Sequence, residues 1–512
     1  MIIVYHQNNQ ISNVVSVQNE RISFSQKDSI AAGLLQIAEQ FPNQKIVWCH
    51  LNYSDNLDLV SIDTVFHHDK MMLSYAPWEQ HYLGEKIGYV EESPFININK
   101  KVTYPSWQMS NVVGVLHASL LLAIKDKIKL DSDFDYYLNS VAKVCMPLGL
   151  FCYSEPKLLK GIEIIEMPVQ TSNYTLFKFV KQHYKARWVF LLFLNLMIYE
   201  KQFPFLAFLY AGFFKNRNKN NIKLDDIVVN SSLEVINTAT IDVIIPTIGR
   251  KSYLYDVLCD LRKQTVLPKN VIIVEQNPLE NSSSELDYLH TEVWPFAIKH
   301  TFTHQAGVCN ARNIALSQIE SDWVFLNDDD NRFDADLLKN VLQNSQKYGV
   351  QALITSYLKT NEKLNYKFIS QTGIFGSGNS FVKTSCLIDV SFDMSFEFGY
   401  GEDTDFGLQL RNKGYDIIYF PSIKIGHLYA PIGGFRIKPI LAWDTEVIQP
   451  KPSPTIMLLK LKYDSEKQFN GYKLLLFLQL FIKGNIKNPI KFYFSYKKKW
   501  NKSVFWAEKI RL

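Results

Sequence analysis

At 512 residues the chain is longer than one ordinary hydrophobic core, which points to two or three domains. A hydrophobic content of 47% beside 21% charged residues excludes an intrinsically disordered chain. The net charge of +5 is small for this length and excludes the broad basic footprint of a nucleic-acid-binding protein. The six cysteines (49, 145, 152, 259, 309 and 386) form no CxxC pair and read as buried, reduced thiols of a cytoplasmic protein. Met1–Gln7 lacks a basic stretch followed by an apolar core, so no signal peptide is expected. No apolar run reaches the length of a membrane span.

Residues 1–168 read as an α/β domain. Ile3–Tyr5 suggests a strand and Lys45–Leu51 a buried one. Ser29–Phe41 has helical spacing at Ile30, Leu34, Ile37 and Ala38, and Tyr136–Cys145 also reads as a helix. Residues 169–235 change character. Lys181, Lys185 and Arg187 lead into the apolar run Trp188–Tyr199, which Glu200-Lys201-Gln202 interrupts before Phe203–Phe214 resumes it. Two short apolar helices are predicted, either packed on the protein or lying on a membrane surface. The polar, basic stretch Lys215–Lys223 serves as a linker.

Over 236–440 strands and helices alternate, which predicts a mainly parallel sheet. The predicted strands are Ile241–Ile245, Val271–Val274, Ile298–Phe302, Trp323–Leu326 and Asp416–Phe420. The predicted helices are Tyr253–Gln264, Val308–Ile319 and Gly407–Lys413. Residues 441–512 form a basic helical tail in which Phe492, Tyr493, Phe494, Tyr496 and Trp500 interleave with lysines. Those lysines suit solvated helix faces or an anionic lipid surface.

The chemistry gathers around Asn327-Asp328-Asp329-Asp330-Asn331, which follows the buried strand Trp323–Leu326. Ligands of open α/β sheets bind just outside the carboxyl ends of strands. Three adjacent carboxylates repel one another, and a hard divalent cation relieves that repulsion. The same residues also suit an acidic turn with a helix cap. Gly307-Val-Cys-Asn310-Ala-Arg312-Asn313 opens a helix whose N-terminus attracts anions; Arg312 either holds phosphate or fixes the acidic loop. Gly376-Ser-Gly378-Asn379 suggests a tight loop beside a site, or a plain turn. Gly401-Glu402-Asp403-Thr-Asp405 at a helix start suits a general base, with Asp405 expected to cap the helix. His427 either is structural or completes a metal shell.

Together these pieces resemble the family 2 glycosyltransferases of the GT-A fold across about 241–435. The order is Pro246-Thr247 after one strand, Glu275-Gln-Asn277 after the next, then Gly-x-x-x-Ala-Arg-Asn, the triple Asp, Gly378-Asn379, Gly-Glu-Asp-x-Asp and Gly-His. The resemblance implies an inverting transfer of a sugar from a UDP- or dTDP-linked donor to a glycan or lipid-linked acceptor. It implies Mn²⁺ or Mg²⁺ on Asp328, Asp330 and His427, and Asp403 as base with Glu402 beside it. It puts Pro246, Thr247, Glu275, Asn277, Arg312, Asp328 and Asp329 on the donor side, and Gly378, Asn379 and Glu402 on the acceptor side. The expected setting is surface polysaccharide or lipopolysaccharide synthesis, with the protein cytoplasmic and peripheral on the inner face of the plasma membrane. Glu275-Gln276 departs from the family's more usual Asp-Asp or Asp-Asn. A nucleotidyltransferase is the competing enzyme class, but its Gly-rich phosphate loop is missing from Pro246–Lys251. A non-catalytic glycan-binding scaffold is the third reading.

Residues 29–156 echo 308–421 as a degenerate GT-A-like copy. Asn111 falls like Asn379, Asp131-Ser-Asp133-Phe134 like Asp403-Thr-Asp405-Phe406, and His50-Leu51-Asn52 replaces the acidic triplet. Such a copy is not expected to bind a metal-nucleotide.

Overall fold

The computed structural model describes residues 1–25, 29–78, 81–161, 171–218, 221–359, 362–364, 366–431 and 440–511. The expected domain boundary at 168–169, the end of the resemblance at 435, and Lys219 and Asn220 of the predicted linker lie outside the described residues. The chain divides into two units, Met1–Leu233 with Tyr463–Lys483, and Glu234–Lys462 with Gly484–Leu512. The first boundary falls two residues before the expected 235. The tail expected as one piece over 441–512 is shared between the units.

The first unit holds a seven-stranded sheet in the order β2-β1-β3-β6-β4-β7-β5. Its strands are β1 (Ile2–Gln7), β2 (Gln10–Ser16), β3 (Lys45–His50), β4 (Met71–Tyr75), β5 (Tyr104–Pro105), β6 (Val113–His117) and β7 (Phe151–Ser154). The helix Ile30–Gln40 starts where the Ser29 hydroxyl accepts the Ala32 N–H at 3.2 Å, satisfying one orphan donor of the first turn. It buries Ile30, Leu34 and Ile37, each contributing roughly 1.5–3 kcal/mol by leaving water. The helix Phe134–Cys145 joins the same core, with Asp133 as its N-cap. The two predicted apolar helices form, as Ala186–Tyr199 and Phe205–Ala211. A further helix, Asn173–His183, precedes them; its Ser172 cap was the available signal. Among the described residues no helix is long and apolar enough to cross a membrane.

The second unit holds a nine-stranded sheet in the order β10-β9-β8-β11-β15-β13-β16-β12, with β14 paired to β16. Its strands are β8 (Ile241–Thr247), β9 (Asn270–Gln276), β10 (Ala297–Thr303), β11 (Trp323–Asn327), β12 (Asn331–Arg332), β13 (Ala352–Lys359), β14 (Ser370–Gln371), β15 (Asn379–Lys383) and β16 (Ile418–His427). β8, β9, β10, β11, β13 and β16 run in one direction, and β12, β14 and β15 run against them. No crossover helix occurs among the described residues between β13 and β15, so β15 returns antiparallel. Buried Asp242 ties the layers at the far end of the sheet. It accepts from Asn270 Nδ2 at 2.8 Å, Ser321 Oγ at 2.6 Å and Glu320 N at 2.7 Å.

Two expectations need correction here. The last helix before β16 starts five residues early, at Glu402, with Gly401 as N-cap. Asp405 therefore does not cap it. Asp405 sits fully buried inside the first turn, where Lys462 Nζ reaches its carboxylate at 2.6 Å. The final strand runs on past Phe420 to His427, because β12 and β13 both pair with its second half.

Candidate active site

The carboxyl ends of β8, β11, β13 and β16 lie along one edge of the second sheet, and each delivers one polar group. From β8 comes Thr247, from β11 the triplet Asp328–Asp330, from β13 Tyr357 and from β16 His427. The helix Glu402–Asn412 adds Asp403 in its first turn. Near-continuous apolar burial makes these strands rigid, since Trp323, Val324, Phe325 and Leu326 are fully buried.

The three aspartates do different work. Asp329 is locked: the Thr247 hydroxyl donates to it at 2.7 Å and Arg250 Nη1 at 2.6 Å. Burial nonetheless pushes its carboxyl up to about 6. Asp330 accepts the Ala430 N–H at 2.8 Å, and its other oxygen, Oδ1, lies 3.3 Å from His427 Nε2 without a hydrogen-bond partner. That 3.3 Å approach is too poorly aligned to count as a hydrogen bond. Burial pushes the Asp330 carboxyl up, but His427, the Ala430 N–H and Arg250 outweigh it and hold it below its usual value. Asp328 accepts from Arg312 Nη2 at 3.0 Å and from the Tyr357 hydroxyl at 3.1 Å. The Tyr357 ring stacks on His427 with centroids 4.5 Å apart.

A buried carboxylate oxygen with no donor, facing an imidazole, fits a divalent cation in kind. Asp330 and His427 are the pair brought together. Asp328 is held by Arg312 and Tyr357, and among the described residues no three His, Cys, Asp or Glu side chains converge as a ready cation cage.

Gly378 lies directly against this group. A Cβ there would collide with the Asp328 carboxylate and the Tyr357 hydroxyl, so only glycine leaves them room. Its neighbour Asn379, expected on the acceptor side, is spent on the scaffold: it is buried and donates to the Thr355 carbonyl at 2.7 Å.

Asp403 accepts from the Ser377 hydroxyl, and its Oδ1 lies 3.7 Å from Arg312 Nη1. Burial pushes this carboxyl up, while Arg312 and Ser377 pull against it. Glu402 is pushed up to about 7 by burial and by the neighbouring Asp403 carboxylate. Arg312 thus fixes the acidic loop, the second of its two expected roles, and links Asp328 to Asp403 through one buried guanidinium.

The helix N-terminus at Gly307, expected to attract an anion, already holds one. The Glu397 carboxylate accepts the Cys309 and Asn310 N–H groups at 3.2 and 2.9 Å. It fills the space a Cβ at Gly307 would need, and φ at Gly307 is +141°, so this glycine answers to the fold. Glu275, expected on the donor side, is also engaged: it accepts from the Glu285 N–H at 3.1 Å and lies 3.0 Å from His300 Nε2. Thr247, the last residue of β8, pairs with Glu275, and Pro246 before it pairs with Val274. Asn277 is half-buried and accepts the Leu279 N–H at 3.1 Å, closing a turn after β9.

Sequence reasoning missed Arg250, Tyr357, Ser377 and Glu397. Arg250 had a legible signal, a cation three residues past a strand end in a chain with an acidic triplet. Tyr357 and Glu397 had none, because only folding brings them to their partners.

The profile of Glycosyl transferase family 2 matches residues 242–400, which lie wholly within the second unit. No curated protein matches the chain. Among solved structures, S. aureus TarS 1-349 in complex with UDP-GlcNAc is 18% identical over 47% of this chain and 72% of that one, with a TM-score of 0.35. S. aureus TarS is 17% identical over 46% of this chain and 42% of its own length, with a TM-score of 0.33. A further structure of TarS 1-349 is 18% identical over 36% of this chain, which spans 60% of that chain, with a TM-score of 0.30. The second unit therefore carries a region, residues 242–400, that matches the Glycosyl transferase family 2 profile.

Proposed function

We propose that the second unit is an inverting, metal-dependent glycosyltransferase. It moves a sugar from a UDP- or dTDP-linked donor to a hydroxyl of a glycan or lipid-linked acceptor, in surface polysaccharide or lipopolysaccharide synthesis at the inner face of the plasma membrane. The observation that carries this reading is the Arg312 bridge, with one end on Asp328 at 3.0 Å and the other 3.7 Å from Asp403. It fixes a base candidate at a set distance from the acidic triplet, as a single displacement requires.

Asp403 takes the proton of the acceptor hydroxyl while that oxygen attacks the anomeric carbon. The new C–O bond forms on the face opposite the leaving group, and the sugar–diphosphate C–O bond breaks. The nucleoside diphosphate departs with that electron pair, so the anomeric configuration inverts. Arg312 favours the ionised form of Asp403 against the larger upward push of burial, and Ser377 orients its carboxylate. Mn²⁺ or Mg²⁺ on Asp330 and His427, with Asp328 adjoining, supplies when bound the positive charge a leaving diphosphate needs.

The first unit is proposed to be a GT-A-like copy that has lost the metal-nucleotide site. His50 ends β3 and Leu51 and Asn52 follow it, where the acidic triplet follows β11, which supports this reading.

A panel of nucleotide sugars scored by thermal shift with Mn²⁺ tests the donor assignment, since a true donor raises Tm by mass action. Stabilisation by one nucleoside diphosphate and its sugar, followed by transfer with inverted anomeric configuration, is the expected result. Stabilisation by nucleoside triphosphates alone would replace this reading with a nucleotidyltransferase.

A further inference from the structure

The helical hairpin of the first unit leaves an apolar surface uncovered. The helix Ala186–Tyr199 buries one face through Trp188, Leu192 and Leu196, and Phe205–Ala211 buries only Ala207 and Ala211. The outer side carries Phe190 (52% exposed), Phe203 (68%), Leu206 (68%), Leu209 (49%) and Phe213 (85%). Scattered exposed apolar residues are ordinary, but this many within 24 residues of chain are not.

The charged groups that the hairpin's own segment places around this surface are mostly basic. Lys185, Arg187, Lys201 and Lys215 are exposed, at the start of the first helix, in the break between the two and after the second. The one acidic residue among described residues 171–218 is Glu200, whose carboxylate accepts from Tyr89 at 2.7 Å and pairs with Lys467 at 2.8 Å. Within residues 171–218 the surface is therefore apolar and aromatic at its centre and basic at its rim, with Glu85 and Glu466 on neighbouring elements close enough to act on Lys467.

We propose that this hairpin is the membrane-docking surface of the protein, lying in the headgroup region of an anionic bilayer. The inference rests on the peripheral-membrane part of the proposed function and names its contact. A 14-residue helix is about 21 Å long, too short to span hydrocarbon, and its buried inner face keeps it parallel to the surface it rests on. Aromatic side chains settle at the boundary between headgroups and chains, while lysine and arginine meet lipid phosphate. A protein partner matched to this rim would have to be acidic around an apolar centre; a bilayer containing phosphatidylglycerol presents that pattern everywhere.

The test is co-sedimentation of the full chain with vesicles of phosphatidylcholine alone and of phosphatidylcholine with phosphatidylglycerol. The expected result is binding to the anionic vesicles, weakened by salt. The exposed triple variant Phe203→Ser/Leu206→Ser/Phe213→Ser should lower binding roughly tenfold or more, with Tm unchanged. A comparison variant in the tail, Ile490→Ser/Tyr493→Ser/Phe494→Ser, should bind as wild type does. Wild-type binding that survives the hairpin triple but falls with the tail triple overturns this assignment and leaves the membrane reading standing. Absence of wild-type binding overturns both and leaves sugar transfer to a soluble acceptor untouched. A wild-type dimer in solution that the hairpin triple dissociates would make the surface a contact between copies and overturn the proposal.

Discussion

Five strands of the first sheet, β1-β3-β6-β4-β7, stand in the same order and directions as β8-β11-β15-β13-β16 of the second. Asn327 pairs with Asn379 in the second, and Cys49 pairs with Val113 in the first. His50, Leu51 and Asn52 therefore stand level with Asp328, Asp329 and Asp330. Asn111 stands level with Ser377, two residues from the Asn379 position that its sequence echo suggested. The carboxylates shift likewise. Asp135, and not Asp131, is the second residue of its helix, as Asp403 is of its own. Asp135 accepts the Asn111 N–H at 2.9 Å where Asp403 accepts from Ser377.

What differs is instructive. The fifth residue of the helix before β11 is Arg312, and the fifth of the helix before β3 is Leu34, fully buried. A buried guanidinium without its carboxylates costs several kcal/mol, so acid and arginine are absent together. Val112 stands level with Gly378, since no carboxylate needs room there. Beyond β8 the second sheet continues with parallel β9 and β10; beyond β1, among the described residues, the first has only the antiparallel hairpin strand β2. The first unit shares the five-strand order and the helix-borne carboxylate, and among the described residues it has no counterpart of β9 and β10.

The largest expected contrast is between the paired carboxylates. Asp403→Asn should lower kcat by about 10²–10⁴-fold with donor affinity kept, while Asp135→Asn should leave kcat within about twofold. Equal losses in the two variants would place chemistry in both units. Next, EDTA should stop transfer and Mn²⁺ restore it, and calorimetry should find one nucleotide site per chain, lost in Asp330→Ala. Two sites, or activity undiminished in chelator, would break the contrast. Gly378→Ala should cost about 10–10²-fold in kcat by displacing Asp328 and Tyr357, whereas Val112→Ala should move Tm alone.

The smallest effect concerns pH, where the units should agree. Burial raises the Asp135 carboxyl to about 7, and burial with Asp403 raises Glu402 to about 7. A carboxyl raised on folding binds its proton more tightly in the native state, so stability is greatest at low pH and is lost as pH rises. The window runs from the ordinary values of 3.8 and 4.5 up to about 7. Tm followed across that range should show slopes that Asp135→Asn and Glu402→Gln each reduce. For activity the sign is opposite: Asp403 must be ionised, so kcat/KM should fall as pH drops through its raised pKa.

Much of this was legible before folding. Short apolar runs located β8, β9, β10 and β11 to within two residues and the start of β16, but β12, β13, β14 and β15 were not predicted. The acidic triplet, Asp403 and His427 were legible because their chemistry shows in residue type. The long reach of β16 was not, since it depends on pairing with β12 and β13, far away in sequence.

By itself the sequence determined the resemblance to family 2 glycosyltransferases, the acidic strand end and the apolar hairpin, all properties of residues read locally. Only the tertiary structure decided how the charges are shared: that Arg250 holds Asp329, Arg312 joins Asp328 to Asp403, Glu397 fills the Gly307 helix end and Lys462 claims Asp405. An ion pair is a matter of distance and desolvation, and neither exists until the chain has closed on itself.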